Sequence, residues 1–225
     1  MPFLRKHWFD LGGVLALGLG AWLAAHYRTW PAFTLLGWLN LLALLLHQVE
    51  EYRWPGYFPG MLNRTLYASP TPDRYPLNPP TALLINVGVG WGSYLAAAIA
   101  GPRLPWLSLA ALTVSAGNVV AHTLLFNLKG RTWYNPGQAT AWLLFAPLLG
   151  WLGYLAARQP VATPGQWALG VALGAALNYL GVLKLIDWLA DPQSPYRFEA
   201  RQLLPGSPAA RWVAPPSSIN SQKFR

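Results

Sequence analysis

Cysteine is missing from this 225-residue chain, which excludes disulfides and thiolate metal ligands and leaves the redox compartment unread. Acids are nearly missing as well: seven Asp and Glu stand against sixteen Lys and Arg. Charged residues of both signs make up 10% of the sequence. An ordinary soluble domain carries roughly 25%, so that class is excluded. What fills the space is apolar, 54% hydrophobic residues with thirteen Trp and twenty-one Gly. That combination belongs to a polytopic membrane protein with aromatic interfacial belts and Gly-mediated helix contacts. The formal charge of +9 then reports topology rather than nucleic-acid binding. The expected partner is the lipid bilayer.

The N-terminus resembles a secretory signal in one respect, Arg5-Lys6 before an apolar stretch. Asp10 interrupts it and no clear small-residue cleavage site follows, so it reads as a retained first membrane helix. Six helices are predicted, over about Phe9–Tyr27, Trp30–Tyr52, Thr81–Ala100, Pro105–Leu128, Pro136–Arg158 and Pro164–Ala190. Each is close to the roughly 20 residues that cross a bilayer. The fold class is therefore an all-α membrane bundle spanning residues 1–190, including a long connection over 53–80. Residues 191–225 form a polar, Pro- and Ser-rich tail, expected to be peripheral or partly disordered. No repeat of fixed period is present.

Orientation follows from the basic residues. Arg5, Lys6, Arg53, Arg64, Arg74, Lys129, Arg131 and those of the tail fall on one side, and Arg28, Arg103 and Arg158 on the other. The positive-inside rule puts both termini in the cytoplasm and the chain in the cytoplasmic (inner) membrane.

With so few acids, His47-Gln48-Val49-Glu50-Glu51 stands out at the end of an apolar run, Phe33 to Leu46. At about 100° per residue, positions 47, 50 and 51 share one helix face. Ionisable groups are costly inside a membrane and mark function there. The topology brings other polar residues to the same depth: Asn118 and His122, spaced i and i+4, with Ser115 near their face, Asn86, and the Lys184/Asp187 pair. His47, Glu50, Glu51 and His122 are the candidate ligands of a divalent metal, with zinc, iron or manganese suited to imidazole and carboxylate. Glu51 or Glu50 could instead serve as a general base, and Asn118 could orient His122 or polarise a carbonyl. Plainer readings are a solvated helix end for Glu50-Glu51 with Arg53 as partner, and a packing pair for Asn118 and His122. Lys129-Gly130-Arg131-Thr132-Trp133-Tyr134-Asn135-Pro136-Gly137 is the second element. Its helix start carries free amides, and Lys129, Arg131, Tyr134 and Asn135 could receive the polar end of a substrate.

His47-x-x-Glu50-Glu51 in a small multi-helix membrane protein resembles the HXXEE-motif family. Asn118-x-x-x-His122 and Tyr134-Asn135-Pro136-Gly137 are similar to the family's other recurring elements, and the resemblance runs from about Trp30 to Ala157. It implies which residues form the site and implies no reaction. The functional expectation is a metal-dependent hydrolase or isomerase acting on a lipid-soluble substrate. The alternatives are a proton- or cation-coupled transporter, or an accessory subunit whose partner is a larger membrane complex.

Overall fold

The structure, a computed structural model, describes residues 2–206; the end of the expected tail, including Arg211, Lys223 and Arg225, lies outside the described residues. Every regular element among the described residues is helical. In chain order these are α1 (Phe3–Thr29), α2 (Ala32–Tyr52), the short α3 (Phe58–Thr65), α4 (Pro79–Arg103), α5 (Pro105–Gly130), α6 (Gln138–Arg158) and α7 (Pro164–Trp188). All but α3 are long and apolar enough to cross a membrane. The chain is a multi-pass membrane protein. Its outer faces carry exposed apolar side chains such as Leu17, Ile99 and Leu143, as a lipid-facing surface requires.

The helix boundaries lie close to those predicted, and their causes are local. Proline occupies the first turn of α5 and α7, where a missing N–H costs nothing. Asn78 caps α4 by accepting from the Thr81 amide at 3.0 Å, and Thr163 with Gln166 forms a capping box at α7. The largest difference is the start of α1, at Phe3 rather than near Phe9. Asp10 lies inside this helix, as expected, with its charge matched. It lies 2.9 Å from His7 and 2.9 Å from Arg53. Arg53 is thereby engaged with Asp10, not with the Glu50-Glu51 pair.

Residues 53–80 form a structured cap rather than an open loop. Asn63, fully buried, donates to the carbonyls of Pro72 and Leu77 at 2.9 and 2.8 Å and accepts from the Leu77 amide at 3.0 Å. Those three bonds hold the chain after α3 in a closed shape without regular structure. The tail as far as residue 206 docks on this cap. Leu203 and Gln202 lie so close to Gly60 that a Cβ there would stand 2.8 Å from the Gln202 carbonyl. Arg201 donates to the Tyr52 carbonyl at 3.0 Å, capping the C-terminal end of α2. Trp8, Phe9, Tyr52, Phe58, Met61, Phe198 and Leu203 pack into one apolar core at this end of the bundle.

Deeper in the membrane, polar contacts join helices that apolar packing alone would leave free to slide. The Ser115 hydroxyl donates to Asn40 at 2.8 Å and stands 2.8 Å from the Tyr94 hydroxyl, linking α5, α2 and α4. Small residues bring α5 and α7 together: a Cβ on Gly170 would lie 2.6 Å from that of Leu109, and one on Gly174 would lie 2.6 Å from the Ala110 carbonyl. Four helices also contain a π-helical stretch, Leu84–Trp91 in α4, Ala121–Leu125 in α5, Ala141–Phe145 in α6 and Tyr179–Lys184 in α7. All four lie in the half of the bundle nearest α3. Such stretches widen a helix locally and collect around functional sites.

Gly174→Leu is expected to lower thermal stability in detergent by about 1–3 kcal/mol through overpacking. Gly153→Ala, whose added Cβ meets nothing within 4 Å, should shift it by less than about 0.5 kcal/mol. Indistinguishable melting of the two variants would remove the glycines as the basis of the α5–α7 contact.

Candidate metal centre

His47 and Glu51 lie one turn apart at the end of α2, and His122 lies in the π-helical stretch of α5. Each is nearly or fully buried. His47 Nε2 stands 3.6 Å and His122 Nε2 3.4 Å from the same Glu51 oxygen. The rings meet edge to face with centroids 4.8 Å apart. One ligand atom from each of the three residues fits within 4.8 Å of the others.

The neighbours fix how both imidazoles are protonated. Asn135 donates its amide hydrogens to the His122 carbonyl and to Asn127, both at 2.8 Å. Its oxygen therefore faces His122 Nδ1 at 2.6 Å as an acceptor, and Nδ1 must carry the proton. On the other imidazole, the Thr140 hydroxyl donates to Glu50 at 2.6 Å and so accepts from His47 Nδ1 at 2.8 Å. Both Nε2 atoms are left with lone pairs, buried and without a hydrogen-bond partner. Two nitrogen lone pairs and a carboxylate oxygen thus converge with no donor between them. Unpaired buried polar atoms are costly. A cation at the convergence relieves all three at once, so the donor set fits a divalent metal held by two imidazoles and one carboxylate.

Glu50, expected among the ligands, lies outside this group. Its carboxylate accepts from the Ala139 amide at 3.1 Å, the Thr140 amide at 2.8 Å, the Thr140 hydroxyl at 2.6 Å and the Tyr134 hydroxyl at 2.9 Å. The first turn of α6 supplies those amides and the positive end of its dipole, which together stabilise a buried anion. Burial, and next the Glu50 carboxylate itself, push the Tyr134 hydroxyl's pKa upward, so Tyr134 stays a donor. The metal group therefore uses the i, i+4 spacing of His47 and Glu51, while the neighbouring acid anchors α2 to α6.

The Lys129–Gly137 segment is divided between two environments. Lys129 and Arg131 are exposed. Asn135 is fully buried and serves His122. Gly137 adopts φ +102°, which favours glycine, and a Cβ there would stand 2.8 Å from both His122 Nδ1 and His47 Cε1. The two imidazoles can approach each other only because that atom is missing. Asn118 donates to the Val114 carbonyl at 3.1 Å and lines the cavity described next. Lys184 and Asp187 pair with each other at 3.4 Å.

A cavity of about 640 Å³ lies beside the cluster, with His47, Glu51 and His122 in its wall and α4, α5 and α7 around it. Lys129, Arg131, Tyr134 and Asn135 do not line it; they stand on the α6 side of the cluster. Two supporting residues went unmarked in the sequence. Thr140 gave a weak signal, a hydroxyl in the first turn of a helix. Gln48 gave a stronger one, an amide inside the motif. It accepts from Trp91 Nε1 at 2.6 Å and donates to Asn86 at 3.1 Å, tying α2 to α4.

The chain belongs to the family described as proteins of unknown function with an HXXEE motif, whose model matches residues 38–152. The match contains His47, Glu50, Glu51, His122 and Gly137, and it runs through the 53–80 cap as well as the helices. Comparison with curated proteins and with solved structures finds no match.

The two acids of the motif should separate experimentally. Glu50→Gln removes the anion from the α6 amides and should lower thermal stability by about 2–3 kcal/mol. Glu51→Gln relieves a convergence of electron pairs and should leave the metal-free protein at least as stable. The reverse order would overturn the division of roles.

Proposed function

We propose that the protein is a metal-dependent membrane enzyme, a hydrolase or isomerase of a lipid-soluble substrate. The observation that carries this reading is the pair of buried, unpartnered Nε2 atoms facing Glu51 in the wall of a membrane-depth cavity. His47, Glu51 and His122 would hold the metal, and their ligand types suit zinc, iron or manganese. A bound divalent metal supplies Lewis-acid polarisation of a carbonyl and a water acidic enough to ionise near neutral pH.

The chain's own residues do the rest. Thr140 and Asn135 hold the two imidazoles in the tautomer that keeps Nε2 open toward the cavity. Glu51 reaches the cavity wall and would hold or pass a proton there, whereas Glu50 is saturated by its four donors and cannot serve as a free base. Asn118, on the same wall, can donate to a substrate oxygen. The apolar core over the cap side of the cluster limits entry of bulk water. The distribution of basic residues supports a cytoplasmic-membrane location with the cluster toward the cytoplasm, since Arg53, Arg64, Arg74, Lys129 and Arg131 all belong to the connections at the α3 end.

Elemental analysis of protein purified without chelators is expected to give close to one divalent metal per chain. His47→Ala and His122→Ala should each lose it, by about tenfold or more in affinity. Extracted membrane lipids incubated with wild-type protein should show a mass-detected conversion that Glu51→Gln abolishes. Stoichiometric absence of metal in wild-type protein would sink the metal reading, and metal without any conversion would sink the enzymatic one.

A further inference from the structure

The cavity beside the cluster has a wall chemistry that selects its occupant. Among the described residues, no lysine or arginine lines it. Its titratable groups are His47, Glu51 and His122 at one end and three tyrosines, Tyr52, Tyr94 and Tyr179. Its amide side chains, all neutral, are Gln48, Asn86, Asn118 and Asn178, and the remaining wall is mostly aliphatic and aromatic. With no metal at the cluster, a phosphate or sulfate carried into membrane depth would find no lysine or arginine in the wall to pair with and would face Glu51, so the walls themselves select against an anionic head group. The volume, about 640 Å³, sits within the roughly 300–1,000 Å³ of small-molecule sites.

Access is lateral. Phe58, Leu62 and Leu77 are buried and close the cavity toward the cap. On the α7 side the lining residues Tyr179 and Leu183 are exposed, as is Val120 on α5. Those residues lie inside the membrane-length helices, so the open side faces acyl chains rather than water.

The geometry points to an uncharged, single-chain lipid as the ligand of this cavity, entering from the bilayer beside α7 with its neutral polar end at the His47/Glu51/His122 cluster and its tail toward Ser93 and Tyr94. This deepens the enzymatic reading and rests on it only for the chemistry. The lipid is held by the walls of α4, α5 and α7, so its binding needs no metal.

The test uses the full chain in nanodiscs with two photoreactive probes, hexadecanol bearing a diazirine in its tail and the matching hexadecyl phosphate. Labelled residues are mapped by mass spectrometry. In chelator-treated protein the alcohol is expected to label the cavity walls on α4 and α7, to be displaced by unlabelled hexadecanol, and to exceed the phosphate by at least about tenfold. Ser93→Phe, which fills the tail end, should suppress that labelling, and Val182→Phe on the opposite wall repeats the test if the first variant fails to fold. Labelling should persist in Glu51→Gln and after chelation, so a failed metal reading leaves this result standing. Equal labelling of the chelated protein by the phosphate probe, or labelling of outer lipid-facing positions that both cavity-filling variants leave unchanged, would overturn the proposal.

Discussion

Glu50 is held by four donors from α6 and the turn before it, and the rest of the site hangs from that clamp. A carboxylate buried at the end of a membrane helix is costly unless it is matched. The first turn of α6 offers two free amides and a dipole, and Glu50 takes both. The match fixes the distance between α2 and α6. It also orients Thr140, whose hydroxyl must point its hydrogen at Glu50 and its lone pair at His47. The acid outside the metal group thus sets the tautomer of an imidazole inside it, and the paired acids of the motif act at successive distances from one centre.

The same requirement, that no polar group be left alone in hydrocarbon, explains why the surrounding helices adopt one register. Gln48 bridges Trp91 and Asn86, and Asn86 donates on to Tyr52 and to the Ala82 carbonyl. Asn40, Ser115 and Tyr94 repeat the arrangement deeper in the membrane. Apolar side chains gain little by choosing each other over lipid, so these hydrogen bonds and the close Gly contacts carry the specificity. Among the described residues Trp38 Nε1 and Arg74 Nε are also buried without a hydrogen-bond partner, but the two bare Nε2 atoms stand side by side and face one carboxylate, and they demand an explanation together. A chain that satisfies Asn40, Gln48, Asn86 and Asn135 has no physical reason to leave two imidazoles unpaired side by side, unless something else completes them.

The helices, the depth of the polar cluster and the meeting of His47 with His122 were legible because hydropathy and topology act over whole segments. Length decides whether a helix spans, and alternation of direction decides which ends meet. What was not legible depended on a single rotation or a single contact. Positions 50 and 51 lie about 100° apart on a helix, which is enough to send Glu50 to the α6 amides and Glu51 to the imidazoles, and a face count cannot rank the two. The role of Gly137 needed the positions of both rings, because its meaning is the Cβ it lacks. Residues 53–80 and 191–206 carry few periodic signals. Their order comes from Asn63 and from the seat of Leu203 on Gly60, contacts between residues that no local pattern connects.

The cluster also divides the molecule into two sides with opposite demands. On the α6 side every polar atom named is saturated: Glu50 by amides and hydroxyls, Asn135 by His122 and Asn127, and Thr140 by Glu50 and His47. That side is rigid because a rotation of any one member strands another in an apolar surrounding. On the α4, α5 and α7 side the wall is mostly apolar, all three helices are locally widened, and a cavity remains. A site that must hold charged ligands still while admitting a mobile substrate needs both conditions, and they cannot share one face. His47, Glu51 and His122 sit on the seam between them, positioned from behind by α6 and open in front toward the membrane. That placement follows from the order of residues within the motif. An acid that faces backward into a helix start leaves its neighbour free to face forward.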